Sequence, residues 1–237
     1  NIQTSSNKYS IYIGSNLSNK LKLIFNNEKI FFNKVLIIYD SKIKFKEISR
    51  IKLNLKNKEV FIYKFISNEK SKSINTVNKI ISKLLRNNFT RQDCIISLGG
   101  GITGDLSGFI SSIYKRGIKF INIPTTLLAQ VDASIGGKTG VNHKIYGKNL
   151  IGSFYQPNVV ISDTNYLKSL SKKELICGYA EIFKHSLIYN KQNFLFLEKF
   201  YRNILSLEKK FLEKAILESC KIKKSIVEKD EKEKNLR

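Results

Sequence analysis

Residues 94–105 read CIISLGGGITGD. Cys94–Leu98 is a short, buried-type strand that runs straight into Gly99, Gly100 and Gly101, and a helix is expected over Thr103–Tyr114. A strand entering a glycine turn and then a helix lets backbone amides approach a diphosphate, with the positive end of the helix aimed at it. From these residues alone, a glycine turn needed only for positive φ reads equally well, because the spacing is not the usual dinucleotide fingerprint. Working outward, Lys34–Tyr39 (KVLIIY), Glu59–Ile66 (EVFIYKFI) and Lys119–Ile123 are apolar runs of strand length. Between Ser71 and Leu85, apolar residues at Ile74, Val77, Ile80, Ile81 and Leu84 follow helical spacing. Strands alternating with helices imply parallel pairing and right-handed crossovers, hence a doubly wound α/β sheet. After about residue 165 the character changes. Segments 174–188, 194–205 and 207–228 all carry helical periodicity, and no good strand is seen. The expectation is an α/β domain over 1–165 and an all-α domain over 166–237, packed closely, with their cleft near 130–165.

Composition bounds the function. A 42% hydrophobic chain of 237 residues can bury a real core. No run approaches the ~18 apolar residues of a membrane span, and the first residues show no signal-peptide pattern. The three cysteines, Cys94, Cys177 and Cys220, are odd in number and far apart, which fits a reducing compartment and a cytoplasmic protein. The net charge of +23 invites a nucleic-acid reading. The lysines, however, are scattered singly among Ile, Asn and Phe, residues that share A/T-rich codons. Base composition accounts for them, and no nucleic-acid partner is expected. The charge still steers phosphorylated anions toward the protein. Methionine is absent, and KDEKEKNLR (229–237) stops without a cap, so a window on a longer protein is expected.

Two further segments carry chemistry. PTTLLAQVDASIGGKTGVN (124–142) and GKN (147–149) set glycines beside lysines and asparagines in what read as loops, where main chain and cations can converge on an oxyanion. A P-loop is excluded, since GGKT at 136–139 lacks the upstream glycine at the required spacing. Glu181, Lys184 and His185 stand at i, i+3 and i+4 on one helix face. The carboxylate and the imidazole read either as two metal ligands or as part of an exposed charge pair. Asp40, at a strand end, reads either as a ribose acceptor or as a solvated carboxylate. No Ser-His-Asp or Cys-His arrangement is evident.

Taken together, GGGITGDLSGF (99–109), YKRG (114–117), the 124–142 block, GKNLIGSFYQP (147–157) and GYAEIFKHS (178–186) resemble the 3-dehydroquinate synthase family. The similarity runs from about residue 8 to the end and is densest over 95–185. The 124–142 block separates this chain from other sugar-phosphate cyclases and from glycerol-dehydrogenase-like enzymes. The resemblance implies a Rossmann-like NAD-binding domain, a helical domain that binds zinc or cobalt, and a homodimer. It also implies conversion of 3-deoxy-D-arabino-heptulosonate 7-phosphate to 3-dehydroquinate with loss of phosphate. The alternatives are a non-catalytic NAD-binding, dimerising remnant or a related polyol dehydrogenase.

By the same resemblance, Asp40, Glu69 and Lys72 match contacts to the adenosine end of NAD. Gly101, Ile102, Thr103, Gly104 and Asp105 match the diphosphate loop, with Thr125 and Thr126 beside it. Lys138 and Lys148 match lysines of the cofactor and substrate cleft. Arg116, Asp132, Lys138, Asn149, Lys184, Lys223 and Arg237 match substrate-side, catalytic positions. Glu181 matches the metal-binding glutamate, while His185 falls at a variable position. Residues 142–147 (NHKIYG) are one longer than the usual loop. The family's two zinc histidines would lie beyond Arg237, so residues 1–237 alone are expected to be inactive or nearly so, since catalytic zinc takes three protein ligands.

Overall fold

The computed structural model describes residues 1–189 and 191–234. The strands are β1 (Ile2–Gln3), β2 (Lys8–Gly14), β3 (Lys34–Asp40), β4 (Glu59–Phe65), β5 (Cys94–Gly99), β6 (Lys119–Pro124), β7 (Lys138–His143), β8 (Gly147–Phe154) and β9 (Val159–Asp163). The helices are α1 (Leu21–Asn27), α2 (Phe45–Asn54), α3 (Ile74–Arg86), α4 (Gly101–Ile113), α5 (Lys172–Tyr189), α6 (Lys191–Leu205) and α7 (Lys209–Lys229). Seven strands form one sheet in the order β1-β2-β9-β6-β5-β3-β4, and only the β1–β2 pair is antiparallel.

The apolar run of β3 explains why the sheet is central. Val35, Ile37 and Tyr39 face α1 and α2, packing with Leu21, Ile24, Phe25, Ile48 and Ile51. Leu36 and Ile38 face α3 and α4, packing with Val77, Ile80, Leu84, Leu106 and Ile110. The side-chain period is two, yet both faces are covered, so the sequence shows no alternation. A third core joins the helical region to the sheet: Ile182, Leu197, Ile204, Leu212 and Ile216 pack with Leu127, Val131, Tyr9 and Val160.

The chain order reverses at β3 and β5, since β4 lies on one side of β3 and β5 on the other. In doubly wound sheets, ligands bind beyond the carboxyl ends of the strands at such a switch. Here that edge is marked by Asp40 and the Gly99–Gly101 turn.

One expectation needs correction. Residues 138–154 are not loops: β7 and β8 form an antiparallel hairpin, with a register shift between Val141 and His143. The longer 142–147 stretch is its turn. Backbone approach explains the pairing, because a Cβ on Gly140 would lie 2.7 Å from the Ile151 carbonyl oxygen. That contact leaves room only for glycine.

The helical region is seated as tightly. A Cβ on Gly178 of α5 would lie 2.5 Å from Leu127 Cβ and 2.6 Å from the Leu128 amide nitrogen. Alanine ordinarily stabilises a helix interior by up to about 1 kcal/mol over glycine. Gly178→Ala is nevertheless expected to destabilise the protein by about 1–3 kcal/mol, the range for overpacking a close contact. Urea denaturation checks this, and an unchanged or raised midpoint contradicts the close seating of α5.

Candidate functional site

The glycine turn comes first. Gly100 caps α4, and the Thr125 amide donates to the Gly99 carbonyl at 2.9 Å, tying the ends of β5 and β6 together. A Cβ would meet Thr103 Oγ1 at 2.5 Å on Gly99, Thr126 Cγ2 at 3.2 Å on Gly100 and Ala133 Cβ at 3.1 Å on Gly101. The turn therefore exists only as bare backbone, which leaves the first amides of α4 for an anion. Ile102, Thr103 and Gly104 continue this first turn.

Beyond β6 the chain enters a π turn, Ala129–Ala133, a distortion often found at functional sites. Buried Gln130 anchors it, its Nε2 donating to the carbonyls of Pro124 and Asp163 at 3.1 Å each. Thr126 Oγ1 accepts from the Ala129 amide at 3.2 Å. The result is that Asp132 projects into a cleft of about 540 Å³ lined by Asp105, Asp132, Lys138, Asn149, Lys223 and Glu233 among others. Five of those six were expected from sequence, drawn from α4, the π turn, the hairpin and α7.

Charge in this cleft is paired. Lys223 Nζ lies 2.6 Å from Asp132 Oδ1, and Lys138 Nζ lies 2.5 Å from Glu233 Oε2. Behind the cleft wall lies Lys72, only 4% exposed, whose Nζ donates to Asp105 Oδ2 and Asn149 Oδ1 at 2.5 Å each. Burial raises the Asp105 carboxyl above its usual range, although Lys72 opposes the shift. Asn142 extends the network. Its Oδ1 accepts from the Asn149 amide at 2.9 Å, and its Nδ2 donates to Glu69 Oε2 at 2.7 Å. That contact, with Lys148 3.5 Å from Glu69, holds the Glu69 carboxyl below its ordinary range against the effect of burial. Asn149 has a left-handed φ of 58°, which asparagine tolerates better than most residues.

Metal-type chemistry is gathered on α5. One donor atom from each of Asp132, Glu181 and His185 lies within 4.8 Å of the others. Glu181 Oε1 is fully buried and receives no hydrogen bond of good geometry, although Lys184 Nζ and His185 Nε2 lie beside it. A carboxylate oxygen left this way, next to a second carboxylate, fits a divalent cation such as zinc or cobalt. Burial lowers the His185 imidazole below its usual value, with Glu181 and Asp132 opposing.

Other expected positions lie elsewhere. Asp40, at the carboxyl end of β3, caps its own turn by accepting from the Lys42 amide at 3.0 Å. Arg116 does not reach the cleft. It occupies a turn in which Lys115, Arg116 and Gly117 all have positive φ, and it lines a separate surface depression with Arg91, Tyr155 and Asn158. Arg237 lies outside the described residues. Sequence reasoning assigned no role to Asn142, Ser219 or Glu233. Asn142 closes the quoted 124–142 block, whereas Ser219 and Glu233 carried no local signal.

Residues 62–177 match the family described as 3-dehydroquinate synthase N-terminal, and residues 178–237 match 3-dehydroquinate synthase C-terminal. The chain is 53% identical over 236 residues to the 3-dehydroquinate synthase of Pelagibacter ubique, covering 100% of this chain and 64% of that protein. It is 42% identical over 237 residues to that of Campylobacter concisus, with the same coverages. Its fold matches a 2-deoxy-scyllo-inosose synthase complexed with carbaglucose-6-phosphate, NAD+ and Co2+, at TM-score 0.90 and 27% identity, over 99% of this chain and 63% of that one. A 2-epi-5-epi-valiolone synthase from Streptomyces hygroscopicus, with NAD+ and Zn2+ bound, shares the fold at TM-score 0.88 and 22% identity, over 99% of this chain and 65% of that one. The architecture is that of the sugar-phosphate cyclases. Within them, this chain belongs to the 3-dehydroquinate synthase family. It spans 64% of the length of the first of these relatives.

The buried Lys72 gives a pH-dependent test. Asp105 titrates higher folded than unfolded, so the native state binds the extra proton and stability falls as pH rises between the two values. Removing Lys72 raises the folded value further and deepens that fall. Lys72→Met is expected to destabilise the protein by about 2 kcal/mol at pH 7, where Asp105 loses its counter-charge, and clearly less near pH 4. Denaturant titrations at the two pH values check this. An equal loss at both would show that Lys72 does not support the Asp105 charge.

Proposed function

We propose that this chain supplies the NAD-binding half and the first metal-binding helix of a 3-dehydroquinate synthase. The protein would release phosphate from 3-deoxy-D-arabino-heptulosonate 7-phosphate to give 3-dehydroquinate. The observation that carries the reading is convergence. Asp105, Asp132, Lys138 and Lys223, from α4, the π turn, β7 and α7, line one cleft; the unsatisfied buried oxygen of Glu181 on α5 belongs to a donor cluster with Asp132, and the bare glycine turn opens the helix that carries Asp105.

When bound, the dinucleotide supplies reversible hydride acceptance at a ring alcohol, and the metal supplies Lewis acidity at that alcohol's oxygen. The residues of the chain do the rest. The amides at 101–103 hold the dinucleotide diphosphate, and Asp40, Glu69, Lys72 and Lys148 serve its adenosine side. Lys72, Asp105 and Asn149 brace one another, which fixes the wall of the cleft. Lys138 exchanges Glu233 for the phosphate of the substrate and stabilises it as it leaves. Asp132 and Lys223 bind the ring side, with Lys184 near the ring hydroxyls, and Glu181 holds the metal. A transient ketone acidifies the neighbouring C–H, and that makes phosphate expulsion feasible. We further propose the domain division 1–165 and 166–237, a homodimer, and a cytoplasmic setting. Among the described residues no helix is long and apolar enough to cross a membrane.

Because hydride leaves and returns within one turnover, NAD is needed in catalytic amount only. In the full-length protein with NAD far below substrate, phosphate release is expected to exceed the NAD present by about tenfold or more, with no NADH accumulating. One NADH formed per product would overturn the reading in favour of a polyol dehydrogenase.

A further inference from the structure

Chemistry on the buried face of α5 does not stop at Glu181. His185, one turn on, is 3% exposed. Its Nδ1 lies 2.7 Å from Ser219 Oγ on α7, which is fully buried, and its Nε2 lies 3.2 Å from Glu181 Oε1. Among the described residues, Ser219 Oγ has no other hydrogen-bond partner.

These distances select the tautomer. With the proton on Nδ1, the Ser219 hydroxyl hydrogen would be buried without an acceptor, and the Nε2 lone pair would face a carboxylate. With the proton on Nε2, Ser219 donates to Nδ1 and the Nε2–H faces Glu181. The buried hydroxyl then has its acceptor, and an imidazole N–H instead of a lone pair lies beside the carboxylate oxygen 3.2 Å away. A protonated Nε2 has no lone pair for a metal, so His185 is not a ligand despite its place in the cluster. Lys184, the cation at Glu181, is more than half exposed and too free to hold one rotamer. The imidazole, by contrast, is locked between α5 and α7.

We infer that His185, held by Ser219, is a positioning residue that fixes the Glu181 carboxylate for its divalent metal. The inference rests on reading Glu181 as a metal ligand. Partners of this kind typically change metal affinity about 10- to 100-fold.

The test is Zn2+ affinity of the full-length protein, measured by competition with a chelating indicator, with NAD affinity as a control for intact folding. His185→Phe is expected to weaken Zn2+ binding about 10- to 100-fold and leave NAD affinity within about twofold. Ser219→Ala should weaken it less, and the double variant should be no weaker than His185→Phe alone, the mark of one coupled unit. His185→Gln keeps an N–H within reach of the carboxylate and should recover most of the loss. If His185→Phe also loses NAD binding, Ser219→Ala and His185→Gln carry the test. Wild-type Zn2+ affinity in His185→Phe, or in Ser219→Ala where that variant carries the test, overturns the inference. So does a glutamine variant as weak as the phenylalanine one, since that result marks a direct ligand. Glu181→Gln separates the two failures. If it abolishes Zn2+ binding while His185→Phe does not, only the positioning role is wrong. If it keeps full affinity, the metal reading falls, and the inference with it.

Discussion

How closely α4 approaches its neighbours governs everything else in this chain. The helix starts from a turn in which Gly99, Gly100 and Gly101 each face a side chain from another position, and Gly108 further along takes Thr139 of β7 against its backbone. A methyl group at Gly108 would overlap the Thr139 side chain and push β7 outward. Lys138 sits at the start of β7, and Asn149 follows through the hairpin. Both walls of the cleft are therefore set by small residues on one helix, because close-packed interiors leave no slack to absorb an added methyl group.

The second constraint is electrostatic. The chain carries a formal net charge of +23, yet the cations in the cleft each have a carboxylate partner. The pairs differ in how readily they part. Lys72 and Asp105 are held in the wall, where separating them would strand a buried charge. Lys138 and Glu233 are both more than a third exposed, so their mutual attraction is weak and exchange for a phosphate costs little. One pair serves architecture and the other is available to a ligand, while the surrounding lysines raise the local concentration of anions.

The strands whose side chains are buried on both faces were legible in the sequence, because their apolar runs are continuous and end in glycine, proline or aspartate. β3, β5, β6, α3 and α5–α7 all lie close to where composition and spacing placed them. The β7–β8 hairpin was not legible. KTGVNH and GKNLIGSF show little alternation, and β8 is largely solvent-facing, so backbone contact between Gly140 and Gly152 stands in for a hydrophobic face. Within the site, Glu181 and Lys184 could be placed on one helix face from spacing alone. Ser219 could not be linked to His185, because the two stand 34 residues apart on different helices. Arg116 shows the converse, a residue that motif matching places at the substrate and that the folded chain holds in a separate depression.

The most direct measurement is a crystal structure of the full-length protein with NAD and a phosphonate analogue of the substrate. The expected result is the dinucleotide diphosphate on the backbone amides of 101–103 and the phosphonate on Lys138, with Glu233 displaced from it. A dinucleotide bound away from the glycine turn, or a phosphonate that leaves the Lys138–Glu233 pair intact, would contradict it.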